Sequence, residues 1–526
     1  MKKAVDEASG GLHDMLPEEI KTRNELVSFS EAIKNIHFPE DFQLNHKARQ
    51  RLVFDEFFLL ELGLALRKKR IETVEKGISY KIKRTLLSEF RRVLPFDFTG
   101  EQKKVINEIF RDMQSVKPMN RLLQGDVGSG KTVVALAALL LAVENGYQAV
   151  LMAPTEILAQ QHYITLKELL KPLLDENKIQ LGLFVGSIKK AARDKLKESI
   201  LKGTTDIIIG THTLIQEGVA FHRLGLIVID EQHKFGVMQR ATLRKKGFNP
   251  DVLVMTATPI PRTLSLTVYG DLDVSVIEKG PPGRGIIRTL KLNEAEAYEI
   301  VTKEVGKGRQ AYVVYPLIEE SETLTLKAAK IMTKKLQEEV FTKARLGLLH
   351  GKMKGPEKET VMDAFRRKEI DILVTTSVIE VGMDIPNASV MVVEESGRFG
   401  LASLHQLRGR VGRGNYDSYC ILVGKTSTEE AGIRINTMLS TSDGFKIAEE
   451  DLALRGPGEF FGTRQHGLPE LKIGNIIEDF NILTKARREA FDLIEKDTGL
   501  SSYQDRLIKE NLLVKFKGKL DLIGVG

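Results

Sequence analysis

The chain has 526 residues, 42% hydrophobic and 28% charged, an ordinary globular balance that predicts roughly three or four domains of about 150 residues each. The single cysteine, Cys420, excludes internal disulfides, a thiolate zinc site and an iron–sulfur cluster. With no signal-peptide core and no apolar run near the ~20 residues of a membrane span, the expected compartment is the cytoplasm. A net charge of +7 leans toward an anionic partner such as nucleic acid, while the lack of Trp and an aromatic content of 6% argue against a protein that works mainly by stacking bases.

Residues 1 to about 45 are polar and broken by Pro17 and Pro39, and predict a lead-in of short helices. From Ala48 to Arg70, Leu52, Phe54, Phe57, Phe58, Leu60, Leu62, Leu64 and Leu66 make a helix apolar on most of its surface, which must bury itself against something. Its basic tail, Arg67 to Arg70, suits the negative end of the helix dipole and reads as a solvated end in preference to a DNA contact. Phe96 to Gln102 places an aromatic and an amide at a helix start. Two readings stand there: Thr99 is a plain N-cap, or Gln102 reads an adenine edge with Phe98 near the base.

Gly125-Asp126-Val127-Gly128-Ser129-Gly130-Lys131-Thr132 fits G-x-x-x-x-G-K-[ST]. It follows an apolar run fit for a buried strand and precedes a run rich in Ala and Leu fit for a helix, the context that makes the motif credible. Glycines let the backbone wrap a phosphate, and N–H groups at the helix start point at it. Lys131 would neutralise the terminal phosphates of a nucleoside triphosphate, and the Thr132 hydroxyl would bind Mg2+.

Short continuous apolar runs at Ala149 to Met152, Ile207 to Ile209, Leu226 to Ile229 and Val252 to Met255 predict parallel strands buried on both faces, in a doubly wound α/β domain. Asp230-Glu231-Gln232-His233 ends the third of these: Asp230 is placed to hold Mg2+ and Glu231 to polarise an attacking water. Thr256-Ala257-Thr258-Pro259 ends the fourth, where Thr256 and Thr258 could bond to the region of Asp230 and His233 and transmit its state. The Gly- and Pro-rich stretch from Lys279 to Gly285 reads as a linker.

A second series of strands follows at Ala311 to Val314, Leu346 to Leu349, Ile372 to Val374, Val390 to Val393 and Tyr419 to Val423, without a second phosphate loop. Gln406-Leu407-Arg408-Gly409-Arg410-Val411-Gly412-Arg413 spaces glycines so that the backbone packs closely while arginines project together. Arginine is always charged and forks onto phosphate oxygens. If the two halves face each other, Arg413, with Arg410, acts as an arginine finger in cis. The bland alternative is a basic solvated helix end. After about residue 435 the strand rhythm gives way to charged helical stretches.

Residues 95 to 435 resemble a superfamily 2 helicase core. Besides the motifs already quoted, Ala153-Pro154-Thr155-Glu156 is similar to motif Ia, Gly210-Thr211-His212 to Ic, and Thr376 to Asp384 to V. The resemblance implies two tandem RecA-like doubly wound parallel-sheet domains binding ATP and Mg2+ between them. It implies nucleic-acid or coupling roles for Pro154, Thr155, Thr211, His212, His233, Thr256, Thr258, His350, Gly351 and Thr376, with Gly382, Asp384 and Gln406 among the nucleotide-binding residues. Asp-Glu-Gln-His in place of Asp-Glu-Ala-Asp disfavours the large RNA-helicase group.

Ile447 to Gln465 closely resembles the TRG (translocation in RecG) motif of two bacterial DNA translocases, RecG and the transcription-repair coupling factor, and Arg455-Gly456-Pro457-Gly458-Glu459-Phe460-Phe461-Gly462-Thr463-Arg464-Gln465 looks like the RecG form. Arg455 and Arg464 then flank a Gly/Pro-broken loop, and the resemblance implies that this segment, with Gln465, converts closure into stepping on duplex DNA. The resemblance implies an ATP-dependent double-stranded DNA translocase that remodels stalled forks and branched intermediates in repair and recombination. It would be a bacterial, cytoplasmic, nucleoid-associated monomer acting on branched and duplex DNA, with single-strand DNA-binding protein as a family partner. Residues 1–75 would be a helical lead-in, 76–278 and 286–435 the two RecA-like domains, and 436–526 the TRG and C-terminal region. RecG proteins carry an N-terminal OB-fold wedge. Gly11-Leu12 and Leu16 to Ile20 look like the segment after it, so the expectation is a motor portion without its wedge. A polymerase-pushing translocase and an ATP-gated DNA clamp remain as alternatives.

Overall fold

The computed structural model describes residues 11–73, 76, 78–214, 218–231, 247, 249–256, 272–278, 280, 285–316, 330–376, 385–414, 416–460, 471–476, 478–502 and 505–516. The polar lead-in forms α1 (Glu18–Arg23), α2 (Phe29–His37) and the long α3 (Phe42–Thr73). A first lobe follows: α4 (Leu86–Val93), α5 (Gly100–Gln114), β1 (Asn120–Gly125), α6 (Lys131–Glu144), β2 (Gln148–Met152), α7 (Glu156–Leu169), α8 (Lys171–Asp175), β3 (Leu181–Phe184), α9 (Lys190–Lys202), β4 (Ile207–Gly210), β5 (Leu224–Asp230), β6 (Asp251–Thr256) and β7 (Asp273–Ile277). The second lobe holds β8 (Ile287–Lys291), α10 (Glu294–Gly306), β9 (Gln310–Tyr315), β10 (Leu346–Leu349), α11 (Gly355–Arg366), β11 (Ile372–Thr376), β12 (Ala388–Val393), α12 (Leu401–Arg408) and β13 (Ser418–Leu422). Then come α13 (Glu429–Ser440), α14 (Gly444–Phe460), α15 (Phe480–Lys496) and α16 (Arg506–Lys515).

The first sheet has strand order β3-β4-β2-β5-β6-β1-β7 and the second β10-β11-β9-β12-β13-β8. Every pairing among the described residues is parallel. The apolar runs are continuous because alternate residues serve two different cores. Leu122, Val150, Ile208, Ile227 and Val254 join one cluster, whereas Leu123, Leu151, Ile209, Val228 and Leu253 join the other. β3, β7 and β8, which the sequence reading left unassigned, are edge strands with mixed burial, so they lack such a run.

The partner that α3 requires comes from the far end of the chain. α3 packs along α15, and one apolar cluster joins Phe54, Phe57, Phe58, Leu60 and Leu62 to Leu483, Ala486, Ala490 and Ile494. Arg49 forks onto Asp479 at 2.6 and 2.8 Å. Arg487 reaches Glu61 at 2.6 Å; burial pushes that carboxyl up to about 7 against the pull of the guanidinium. Glu56 accepts the backbone N–H groups of Lys472, Ile473 and Gly474 at 2.9, 2.9 and 3.0 Å, fastening the start of this C-terminal segment to the middle of α3. A Cβ on Gly474 would lie 2.8 Å from the Phe57 ring, which is fully buried. Gly474→Ala should therefore cost about 1–3 kcal/mol through overpacking. Thermal unfolding checks this, and an unchanged midpoint would contradict the close approach.

One expectation is corrected here. Residues 456–458 do not break the chain into a loop: α14 runs through Gly456-Pro457-Gly458 to Phe460. An interior proline costs a hydrogen bond and about 3 kcal/mol. The first half of this helix is anchored, with Ile447 in the second-lobe core and Leu452 in the α3–α15 cluster. The side chain of Arg455, together with Arg464 and Gln465, lies outside the described residues, as does most of the 279–285 linker. Among the described residues no helix is long and apolar enough to cross a membrane.

Candidate active site

Because the first sheet is parallel, the carboxyl ends of β1, β5 and β6 open onto one crevice, where α/β sheets bind ligands. β6 separates β1 from β5, and the register sets Asp230 level with Leu123 of β1, two strand spacings or roughly 10 Å away, two residues before Gly125. The loop after β1 turns with Gly128 at φ 73° and Gly130 at φ 89°, left-handed values that favour glycine, and Gly130 caps α6. A Cβ on Gly125 would meet Ser129 Oγ at 2.6 Å. That hydroxyl is buried and, among the described residues, has no hydrogen-bond partner, as expected of a cradle built to take an acceptor-rich group. Lys131 Nζ donates to the carbonyls of Gly125 and Asp126 at 2.7 and 2.9 Å. Burial pushes its ammonium down, the carboxylates of Glu231, Asp230 and Asp126 oppose that, and the charge of Arg413 adds to it.

Gln102 is placed differently from the adenine-reading expectation. It is 2% exposed, and its amide is spent within the protein: Oε1 accepts from Thr99 N at 2.9 Å and Nε2 donates to Ser129 O at 2.9 Å. With Thr99 it forms a capping box for α5, so the N-cap reading holds and the glutamine braces the phosphate loop. Phe98 packs edge-on against Phe90, with ring centroids 6.4 Å apart.

Asp230 is held by two donors, Glu231 N to Oδ1 at 3.0 Å and His162 Nε2 to Oδ2 at 2.8 Å. Burial alone would raise this carboxyl; the hydrogen bond and field of His162, the charge of Lys131 and the Glu231 N–H together hold it below its ordinary value. Glu231 has φ 51°, a sharp turn off β5. Thr132, second in α6, and Asp230 offer oxygen atoms of the kind that would suit Mg2+ beside bound phosphates, where one or two protein groups suffice and water and phosphate supply the rest. Thr256 is buried at the end of β6, across from Gln124 of β1. His233, Thr258, Gly382 and Asp384 lie outside the described residues.

The second lobe meets this loop through α12. His405 Nε2 lies 2.8 Å from Asp126 Oδ1, and a Cβ on Gly409 would be 2.9 Å from Val127 Cβ, so glycine is what lets the two lobes touch. Arg413 is aimed by its Nε bond to Gly409 O at 3.1 Å, and its charge is felt at Lys131. Arg410 is buried, and its charge, like that of Arg413, bears on Tyr312 in β9. Gln406 is half-buried on the same helix. Arg408 is 4% exposed; it binds His405 Nδ1 at 3.0 Å and the carbonyls of Met438, Thr441 and Ser442 at 3.2, 2.8 and 3.2 Å. A hydrogen-bonded chain thus runs from the phosphate loop through His405 and Arg408 to the connection before α14. Sequence reasoning missed His162, His405 and Arg408. A histidine sharing the buried face of Ala159 and Leu166 was the available signal for the first.

The candidate DNA residues fall on strand ends of the same kind. Pro154 and Thr155 follow β2, and Thr211 and His212 follow its neighbour β4. His350 and Gly351 follow β10, and Thr376 ends its neighbour β11. His350 is held below its ordinary pKa by burial and by the charges of Lys330, Lys358 and Lys352, a basic surrounding suited to phosphate.

Three protein families match parts of the chain: DEAD/DEAH box helicase over residues 99–267, helicase conserved C-terminal domain over 294–415, and ATP-dependent DNA helicase RecG, domain 3, C-terminal, over 441–522. The chain is 49% identical over 509 residues to the ATP-dependent DNA helicase RecG of Synechocystis sp., covering 96% of this chain and 61% of that protein. To the RecG of Streptococcus pneumoniae it is 48% identical over 482 residues, covering 91% and 71%. It also resembles a solved RecG bound to a three-way DNA junction, with a TM-score of 0.72 and 45% identity, covering 90% of this chain and 62% of that one. The chain thus spans about three fifths of the length of the Synechocystis relative.

Proposed function

Because the chain belongs to the RecG family of ATP-dependent DNA helicases, we propose that it is an ATP-driven motor that moves along double-stranded DNA and remodels branched junctions, including stalled forks and recombination intermediates. The observation that carries the reading is the meeting of the two lobes at the phosphate loop, with His405 on Asp126 and Gly409 on Val127. The loop from Gly125 to Thr132 holds the triphosphate, with Gln406, Gly382 and Asp384 as further nucleotide-binding residues. Thr132 and Asp230 would hold Mg2+, which would supply charge neutralisation at the phosphates. Glu231 orients the attacking water, and Arg413, with Arg410, stabilises the transferring phosphoryl group. Pro154, Thr155, Thr211, His212, His350, Gly351 and Thr376 form one band of strand ends in each lobe for the DNA backbone. His233, Thr256 and Thr258 couple the two sites. Arg455, Arg464 and Gln465 pass lobe closure to the duplex. The motor works as a monomer in the bacterial cytoplasm, at the nucleoid, with single-strand DNA-binding protein as a partner.

ATP hydrolysis measured side by side with forked DNA, linear duplex, single strand and RNA tests this. Forked and duplex DNA should each stimulate turnover severalfold or more. Stimulation by RNA alone would sink the DNA reading. Duplex stimulation without displacement of a third strand from a triplex would favour a clamp over a motor.

A further inference from the structure

His162 sits two helical turns into α7, 6% exposed, on the face that also buries Ala159 and Leu166. An ionised carboxylate only accepts, so the 2.8 Å contact is an Nε2–H bond donated to Asp230 Oδ2. With Glu231 N on Oδ1, the carboxylate is gripped by donors on both oxygens and its rotation is fixed. α7 begins at Thr155, whose side chain caps it by accepting from Leu158 N at 3.3 Å, directly after Pro154. Its outer side reaches the second lobe, where Gln160 Nε2 donates to Glu359 Oε1 on α11 at 2.7 Å. Beside that bond a cavity of about 340 Å³, lined by Ile157, Gln160, Tyr163, Met362, Asp363 and Arg366, keeps α7 from close packing against α11. An unpacked side leaves a helix room to shift, whereas a close-packed one would resist. One short helix therefore touches the candidate DNA band, the metal carboxylate and the opposite lobe.

We propose that His162 is a positioning residue: it holds the Asp230 carboxylate for Mg2+ and makes that orientation respond to DNA at the N-terminus of α7. The inference rests on the DNA-motor reading above. Outer-shell donors to metal-ligating carboxylates are typically worth 10–100-fold in metal affinity or activity. In the full chain, binding of a fluorescent ATP analogue is titrated with Mg2+, and ATP hydrolysis is measured with and without linear duplex at saturating Mg2+. For His162→Leu, which keeps the volume and removes the donor, the Mg2+ midpoint should rise about 10–100-fold and duplex stimulation should fall toward one. His162→Gln, whose amide N–H can occupy nearly the place of Nε2–H, should return both toward wild type. His162→Asn, too short to reach Oδ2, should behave as the leucine variant and serves if that one does not fold. A leucine or asparagine variant with a wild-type Mg2+ midpoint and wild-type stimulation overturns the proposal, as does a glutamine variant no better than leucine. A wild-type chain without duplex stimulation instead sinks the motor reading, and the Mg2+ midpoint still judges the role of His162 at Asp230.

Discussion

ATP turnover should collapse by about 10²–10³-fold or more when Lys131 is replaced by alanine, because a preorganised charge aimed at the transferring phosphate is typically worth that much. The Nζ is already confined by the Gly125 and Asp126 carbonyls, so it needs little reorganisation to meet phosphate oxygens. Burial and the Arg413 charge lower the pKa of this ammonium, and the carboxylates of Glu231, Asp230 and Asp126 oppose that shift. Lys131→Ala should also weaken nucleotide binding, since the lysine meets the ground state as well as the transition state. Duplex-stimulated hydrolysis that persists in this variant would refute the assignment of the site.

Arg413→Ala should behave differently. An arginine finger acts on charge that develops as the phosphoryl group transfers, and its loss costs about 10³–10⁵ in turnover. Affinity for a fluorescent ATP analogue should stay within about threefold of wild type, because the residue belongs to the opposite lobe and contributes mainly in the transition state. Arg413→Lys should not rescue, since an ammonium lacks the planar fork. A turnover within tenfold of wild type would remove Arg413 from the mechanism and leave Arg410 as the remaining arginine of that motif to test.

The contrast between residues found and residues missed has a physical source. The phosphate loop was legible because its chemistry is local: eight consecutive residues make the turn, the cradle and the lysine. Central strands were legible because burial on both faces forces an unbroken apolar run, as in Ile207 to Ile209. Edge strand β7 has the burial of a half-exposed strand, and nothing in Asp-Val-Ser-Val-Ile forces the assignment. His162 and Asp230 are 68 positions apart, and His405 and Asp126 are 279 apart. No local pattern encodes such pairings; only the strand order and the facing of the lobes create them. Gln102 stayed open between two readings for a related reason: an amide at a helix start can cap, brace or read a base, and its neighbours in space decide which.

The pairing of α3 with α15 places a condition on synthesis. α3 ends at Thr73 and α15 begins at Phe480. At about 5–20 residues per second, roughly 20–80 s of translation separate the two. For that interval the aromatic stripe of Phe54, Phe57 and Phe58 waits without the helix that covers it, while both sheets between them can already form. The helical body is therefore the last part of the molecule to close, and a ribosome stalled anywhere in the second lobe holds a nascent chain whose aromatic stripe lacks its α15 cover.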